Sequence, residues 1–213
     1  MNVTYLVIAK EPVPGRVKTR LMPAYTPEEA AGLAEAALAD TLETVASVTS
    51  TGRVLALDGA PGPWLPPGFR VVAQRGAGLD ERLAAAFDDA YTGHPLVLIG
   101  MDTPQVSLLL LQQAAHALRA HDAVYGPAED GGFWLLGLRR PDAGLIRGVP
   151  MSRPDTGRVQ LGRLRAAGLS VALLPELTDV DTAADAGKVA AAAPHGRFAA
   201  AVRRVRDERA VRA

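Results

Sequence analysis

The run PLVLIG, Pro95–Gly100, offers no polar side chain for a solvent face. A strand of that kind lies at the centre of a sheet with both faces covered, so the chain must supply packed layers above and below it. The rest of the sequence does so by alternation. Strands are expected at Val3–Ala9, which is rich in β-branched and aromatic residues, and at Arg53–Asp58, Phe69–Gln74, Asp122–Pro127, Gly132–Leu138 and Leu169–Glu176. Between them lie stretches with helical spacing. Thr26, Pro27 and Glu29 form a strong helix start, and that helix is expected to run to about Val48. Leu79, Leu83 and Phe87 mark a second helix. Others are expected over about 105–120 and 156–167, and from Thr182 onward. A basic helix, about 198–211, ends the chain. The segment Gly59–Gly68 is too rich in proline for a strand.

Alternation of this type implies an α/β fold, a three-layer α/β/α sandwich around a mostly parallel sheet. The 213 residues suit one domain, 1–213, and show no linker, repeat or low-complexity tract. There is no cysteine, which rules out a disulfide framework, a thiolate nucleophile or Cys-ligated zinc and fits a cytoplasmic protein. Lys plus Arg and Asp plus Glu both total 23, so nothing advertises nucleic acid as a partner. No run reaches membrane-spanning length, and no signal peptide is visible. Oligomeric state leaves no mark in the sequence.

In such sheets ligands bind beyond the carboxyl ends of the strands. The first such loop is unusual. AKEPVPGRVKTRL, Ala9–Leu21, holds Lys10, Arg16, Lys18 and Arg20 around Gly15. Gly15 permits close backbone approach, and the cations can grip phosphate oxygens. The spacing matches neither GxxxxGK[ST] nor GxGxxG. The plain alternative is a solvated turn. Asp102, in LIGMDTP, ends the central strand where a carboxylate can hold a hard divalent cation, or can simply cap the next helix. Asp179 and Asp181, in LTDVDTAADA, are two apart and so share a direction in extended chain. Their alternative is again capping, by Thr182 with Asp185. In GPAEDGGFWLLGL, Glu129 and Asp130 precede Gly131 and Gly132. The carboxylates can meet sugar hydroxyls or serve as a general base, or the segment can be a β-turn. His94, His116, His121 and His195 show no ligand spacing, and no serine has a histidine partner. The C-terminal arginines read as a solvated helix face.

AKEPVPGRVKTRL, IGMDTP, GPAEDGGFWLLGL and LPELTDVDT, in that order, resemble motifs of the rSAM/selenodomain-associated transferase family 1. That family belongs to the nucleotide-diphospho-sugar transferase superfamily with the GT-A fold. The resemblance runs to about residue 190. It implies a Rossmann-like mixed sheet with an antiparallel strand near Phe133–Leu138. It implies that Lys10, Gly15, Arg16, Lys18 and Arg20 line nucleotide phosphates. Asp102 and Asp181 would hold Mg²⁺ or Mn²⁺, Asp130 would be catalytic, and Gly131 and Gly132 would face the sugar or acceptor. QRGAGLDERL, Gln74–Leu83, resembles a motif near the nucleotide, with Asp80 in place of an expected glycine. PMSRPDT lacks an expected tryptophan before Ser152.

Two activities compete. One is metal-dependent glycosyl transfer from a nucleotide-sugar to an unknown acceptor, which the superfamily and the DGG element favour. The other is nucleotidyl transfer from a nucleoside triphosphate with release of pyrophosphate, which four cations in one loop favour. The sequence reading ranks glycosyl transfer first. A non-catalytic nucleotide-binding module ranks last, because Asp102 and Asp181 are both present.

Overall fold

The computed structural model describes residues 2–212. In chain order the elements are β1 (Thr4–Lys10), α1 (Pro27–Ser47), β2 (Gly52–Asp58), β3 (Arg70–Ala73), α2 (Leu79–Ala90), β4 (Leu96–Gly100), α3 (Leu108–Ala117), β5 (Ala123–Pro127), β6 (Phe133–Leu138), α4 (Thr156–Ala166), β7 (Val171–Leu173), α5 (Ala183–Ala192) and α6 (Arg197–Arg212). Short 3-10 turns at Thr19–Leu21 and Ala143–Leu145 have no counterpart in the sequence reading.

Seven strands form one sheet in the order β3-β2-β1-β4-β6-β5-β7. All neighbours pair in parallel except β6, which runs antiparallel to both β4 and β5. β1 is flanked by β2 and β4, with Leu6 opposite Val54 on one side and Leu98 on the other. The chain leaves β1 to build outward in both directions, so the loops after β1 and β4 diverge and open a crevice.

The strands alternate between two cores. Tyr5, Val7, Leu55, Val97 and Ile99 face α1 and α3. Leu6, Val54, Ala56, Leu98 and Leu136 face α2 and α4. Burial on both faces is what PLVLIG requires. A third core lies outside α1, where Leu33 and Ala37 meet Leu21, Val180, Val189 and Phe198. α1 is thus covered on two sides, which accounts for its run of alanines: small side chains let helices approach on both sides.

Of the boundaries that differ from the sequence reading, two do so for evident local reasons. α3 begins at Leu108 rather than near 105, because Val106 closes a turn on Thr103 and Ser107 is the residue that caps, accepting from the Leu110 amide. β7 is three residues instead of eight. It pairs with β5 only as far as Leu173, and Pro175 follows with its carbonyl accepting from the Trp134 indole. Among the described residues no helix is long and apolar enough to cross a membrane.

Candidate active site

A cleft of about 800 Å³ opens at the carboxyl ends of β1 and β4. One wall is the loop after β1. Arg16 donates its amide to the Val13 carbonyl at 3.0 Å, closing a turn through Pro14 and Gly15, whose φ is 75°. Proline then glycine at the two central positions is the pattern of a type II turn. Gly15 serves this turn. It faces open space and does not line the cleft.

The four cations divide into two pairs. Lys18 Nζ lies 2.6 Å from Asp102 Oδ1, and its side chain is only 8% exposed. It also donates to the Val180 carbonyl. Arg20 Nη1 lies 2.8 Å from Asp181 Oδ2 but remains 71% exposed. Lys10 and Arg16 line the cleft with no carboxylate within ion-pair distance among the described residues. Two cations are therefore committed to acids and two face solvent.

The opposing acids come from the loop after β4 and from the segment before α5. The Val180 amide donates to the Asp102 carbonyl at 2.9 Å, while the Val180 side chain sits in the third core. The period of extended chain then turns Asp179 and Asp181 outward, and both line the cleft. Neither acts as a cap. Thr182 and Asp185 form the capping box of α5 by themselves. Asp102 is likewise released from capping, since Ser107 does that work for α3. Asp179 Oδ1 is buried without a hydrogen-bond partner. Burial, reinforced by the charges of Asp102, Asp130 and Asp181, pushes its pKa up to about 7 against the pull of Lys18. The family resemblance implies Asp181 as the second metal carboxylate, and Asp179 lines the cleft beside it.

At the far end, Asp130 Oδ1 accepts from the Gly132 amide at 2.8 Å, an Asx turn leading into β6. Asp130 and Gly132 line the cleft. Gly131 does not. Its φ is 86°, and a Cβ there would lie 2.0 Å from the Pro154 carbonyl oxygen. It is glycine so that the loop before α4 can close on it, a contact fixed by the Gly157 amide donating to the Gly131 carbonyl at 2.8 Å.

The cleft also takes in residues that the sequence reading left out of the site. Gln74 donates to the Ala9 and Ala56 carbonyls, and Arg82 pairs with Asp58 at 3.2 Å. Both belong to the motif over Gln74–Leu83, which was the available signal. Asp80, out of place in that motif, accepts from the Gly148 amide at 2.7 Å and tethers α2 to the loop before α4. Met151 fills the place of the expected tryptophan and lines the cleft beside Ser152 and Arg153. Ser152 has φ 57°, a posture that no sequence signal announces for serine.

A family model described as "Uncharacterized protein conserved in bacteria (DUF2064)" matches residues 32–153, more than half of the chain. The chain belongs to the DUF2064 family. Its matched segment runs from within α1 to Arg153, just short of the Pro154 that meets Gly131. This DUF2064 chain is 34% identical over 209 residues to a 3-phospho-D-glycerate guanylyltransferase of Phenylobacterium zucineum, covering 87% of this chain and 88% of that one. A crystal structure from Desulfovibrio desulfuricans, described as a nucleotide-diphospho-sugar transferase, superposes with a TM-score of 0.76 at 32% identity, covering 85% and 84% of the two chains. The 2-C-methyl-D-erythritol 4-phosphate cytidylyltransferase of Thermus thermophilus shares the fold, with a TM-score of 0.53 at 17% identity over 90% of this chain and 98% of its own. The α/β sandwich with a mostly parallel mixed sheet is therefore that of the nucleotide-diphospho-sugar transferases.

Proposed function

We propose that this protein is a nucleotidyltransferase that binds a nucleoside triphosphate, transfers its nucleotidyl group to a small anionic acceptor and releases pyrophosphate. The observation that carries this reading is the guanylyltransferase relative, similar over nearly the whole chain. It reverses the order in which the sequence ranks the two activities. The unpaired Lys10 and Arg16 support it, because a triphosphate brings more charge to the β1 loop than a diphospho-sugar does.

In this reading an acceptor oxygen attacks the α-phosphorus, the bond to the bridging oxygen of the β-phosphate breaks, and that oxygen leaves with pyrophosphate. Lys10 and Arg16 bind phosphate oxygens, with Lys18 and Arg20 beside them, and Gly15 shapes the turn that presents Arg16. Arg16 can grip two oxygens at once. Cations fixed before the reaction offset the charge that develops on the leaving group. Asp130 has one carboxylate oxygen committed to Gly132, and the other orients the acceptor or takes its proton. Gly132 exposes backbone at the same end, while Gly131 fixes the loop that bounds it.

Asp102 and Asp181, joined by Asp179, are the residues that would hold Mg²⁺ or Mn²⁺. The fit rests on oxygen donors suited to hard cations and on the buried, unpartnered Asp179 Oδ1. Among the described residues no three acidic or imidazole groups form a ready metal cage, so substrate phosphates would complete the coordination. A divalent ion there would supply charge neutralisation at the leaving phosphates.

Glycosyl transfer is the second reading, favoured by the Desulfovibrio relative and by the transferase family that the four motifs resemble. One assay separates the two. Nucleoside triphosphates with Mg²⁺ and phosphorylated hydroxy-acids, 3-phosphoglycerate first, are tested for pyrophosphate release, and nucleotide-sugars for nucleoside diphosphate release. Pyrophosphate that requires both triphosphate and acceptor is the expected result. Nucleoside diphosphate from a nucleotide-sugar would establish the second reading instead. Turnover of neither would leave a nucleotide-binding module.

A further inference from the structure

Lys18 is implied by the family resemblance to be one of five residues along the phosphates, and it lines the cleft with its ammonium already committed to protein oxygens. Its side chain is nearly buried, with Nζ between Asp102 Oδ1 and the Val180 carbonyl. The backbone is arranged for this. Lys18 adopts φ 50° and ψ 36°, a left-handed conformation costly for a residue with a Cβ. The next turn is anchored by the Leu21 amide on the Lys18 carbonyl at 2.9 Å, and Leu21 is locked in the third core. The two partners of the ammonium are a carboxylate and a carbonyl oxygen, donors that suit a hard metal ion equally well. Around them lie Asp130, Asp179 and Asp181, with Arg20 on Asp181 as the other committed cation.

Building on the metal site of the proposed function, we propose that Lys18 is the resting site's own cation. It occupies Asp102 until nucleotide phosphates draw the ammonium away, so that the divalent ion and the nucleotide enter together. An ammonium 2.6 Å from Asp102 Oδ1 repels a second cation brought to the same carboxylate, whichever of its two oxygens that cation takes. Metal loading of the free protein is therefore suppressed, and a divalent ion meets Asp102 only when phosphates are present both to hold Lys18 and to complete the coordination. Lys18 is in this sense a positioning residue that orders metal and nucleotide binding.

The test is Mn²⁺ binding to the nucleotide-free protein, read from loss of the free-ion electron paramagnetic resonance signal. Wild type, Lys18→Met and Lys10→Met are compared, with thermal unfolding to confirm that each is folded. Lys18→Met is expected to bind Mn²⁺ about tenfold or more tightly than wild type, and Lys10→Met to stay within about threefold of it. If Lys18→Met does not fold, Lys18→Gln keeps a donor for Val180 without the charge and reads the same quantity. Equal affinity in wild type and the Lys18 variants overturns the inference. So does an equal gain in Lys10→Met, which would show a general field effect. Adding Asp102→Asn to Lys18→Met should abolish the binding. Mn²⁺ bound as well without Asp102 would instead sink the metal site of the proposed function.

Discussion

Gly131 touches the carbonyl oxygen of Pro154 so closely that no side chain fits between them, a Cβ falling 2.0 Å from that oxygen. Gly15 has a similar φ, 75° against 86°, but nothing lies within 4 Å of its Cβ position. The two glycines therefore separate backbone conformation from close packing. Gly15→Ala is expected to cost about 1 kcal/mol, the penalty of a left-handed residue alone. Gly131→Ala carries that penalty and also forces β6 and the loop before α4 apart, and it is expected to cost about 3 kcal/mol. Urea denaturation of both variants decides the matter. Equal losses would mean that the Pro154 contact yields easily.

Asp179 leads to a prediction with a definite sign. Its carboxyl titrates at about 7 in the folded protein against an ordinary value of 3.8. Between those values the folded state holds a proton that the unfolded state has released, so stability falls as pH rises through that window and is lowest above it. Asp179→Asn removes the penalty. The variant is expected to match wild type at about pH 4 and to exceed it by an amount on the order of 2 kcal/mol at about pH 8. It is also expected to bind nucleotide and metal poorly, the usual trade at a functional site. Thermal unfolding across pH checks the first part. A stability gain in acid equal to that in base would show that the effect is packing, not titration.

The start of α6 is capped by a residue of α1. Asp40 Oδ1 accepts from the Arg197 amide at 3.0 Å, and Oδ2 from the Phe198 amide at 2.9 Å. This is an N-cap supplied from another helix, satisfying two amides that would otherwise lack partners. Further along α6, Arg209 reaches Glu29 and lies 5.1 Å from the Tyr25 ring centroid. Asp40→Ala should cost between about 1 and 2 kcal/mol. Because Phe198 shares the third core with Leu21 and Val180, hydrogen exchange should rise in both α6 and the Val180 segment. Faster exchange in α6 alone would uncouple the helix from the cleft.

What the sequence revealed and what it hid follow from the range of the interactions. PLVLIG, the helix start at Thr26 and the alternation of runs are local signals, and they set the layers. The antiparallel β6 came from the family resemblance, since hydrophobic patterning does not encode strand direction. Asp102, Asp181 and the basic loop were legible as residue types at strand ends. Their pairing was not, because Lys18 meets Asp102 across 84 positions and Arg20 meets Asp181 across 161. Asp179 differs from Asp181 in burial and in having, among the described residues, no cation partner like Arg20, both tertiary properties. The role of α6 was hidden similarly. Its arginines look like a solvated face, and the apolar contact rests mainly on Phe198, Ala199 and Val205.

The pairing of cations sets the last prediction. Arg20 is already held by Asp181, whereas Lys10 and Arg16 have no carboxylate to leave when a phosphate arrives. Removing a paired cation frees its acid, and the liberated Asp181 then repels the ligand or joins the metal site. Removing an unpaired one costs only its own attraction. Lys10→Ala and Arg16→Ala should each weaken triphosphate binding about fivefold to thirtyfold at low salt, the range of a charge-assisted hydrogen bond near a surface. That loss should shrink toward nothing at about 0.5 M salt, where charges are screened within a few ångströms. Arg20→Ala should show a smaller loss with Mg²⁺ present than without it, because the ion compensates the carboxylate that Arg20 leaves behind. Isothermal titration of a non-hydrolysable triphosphate, across salt and with or without Mg²⁺, measures all three. Lys10 and Arg16 variants that bind as wild type does at low salt would return the β1 loop to a solvated turn.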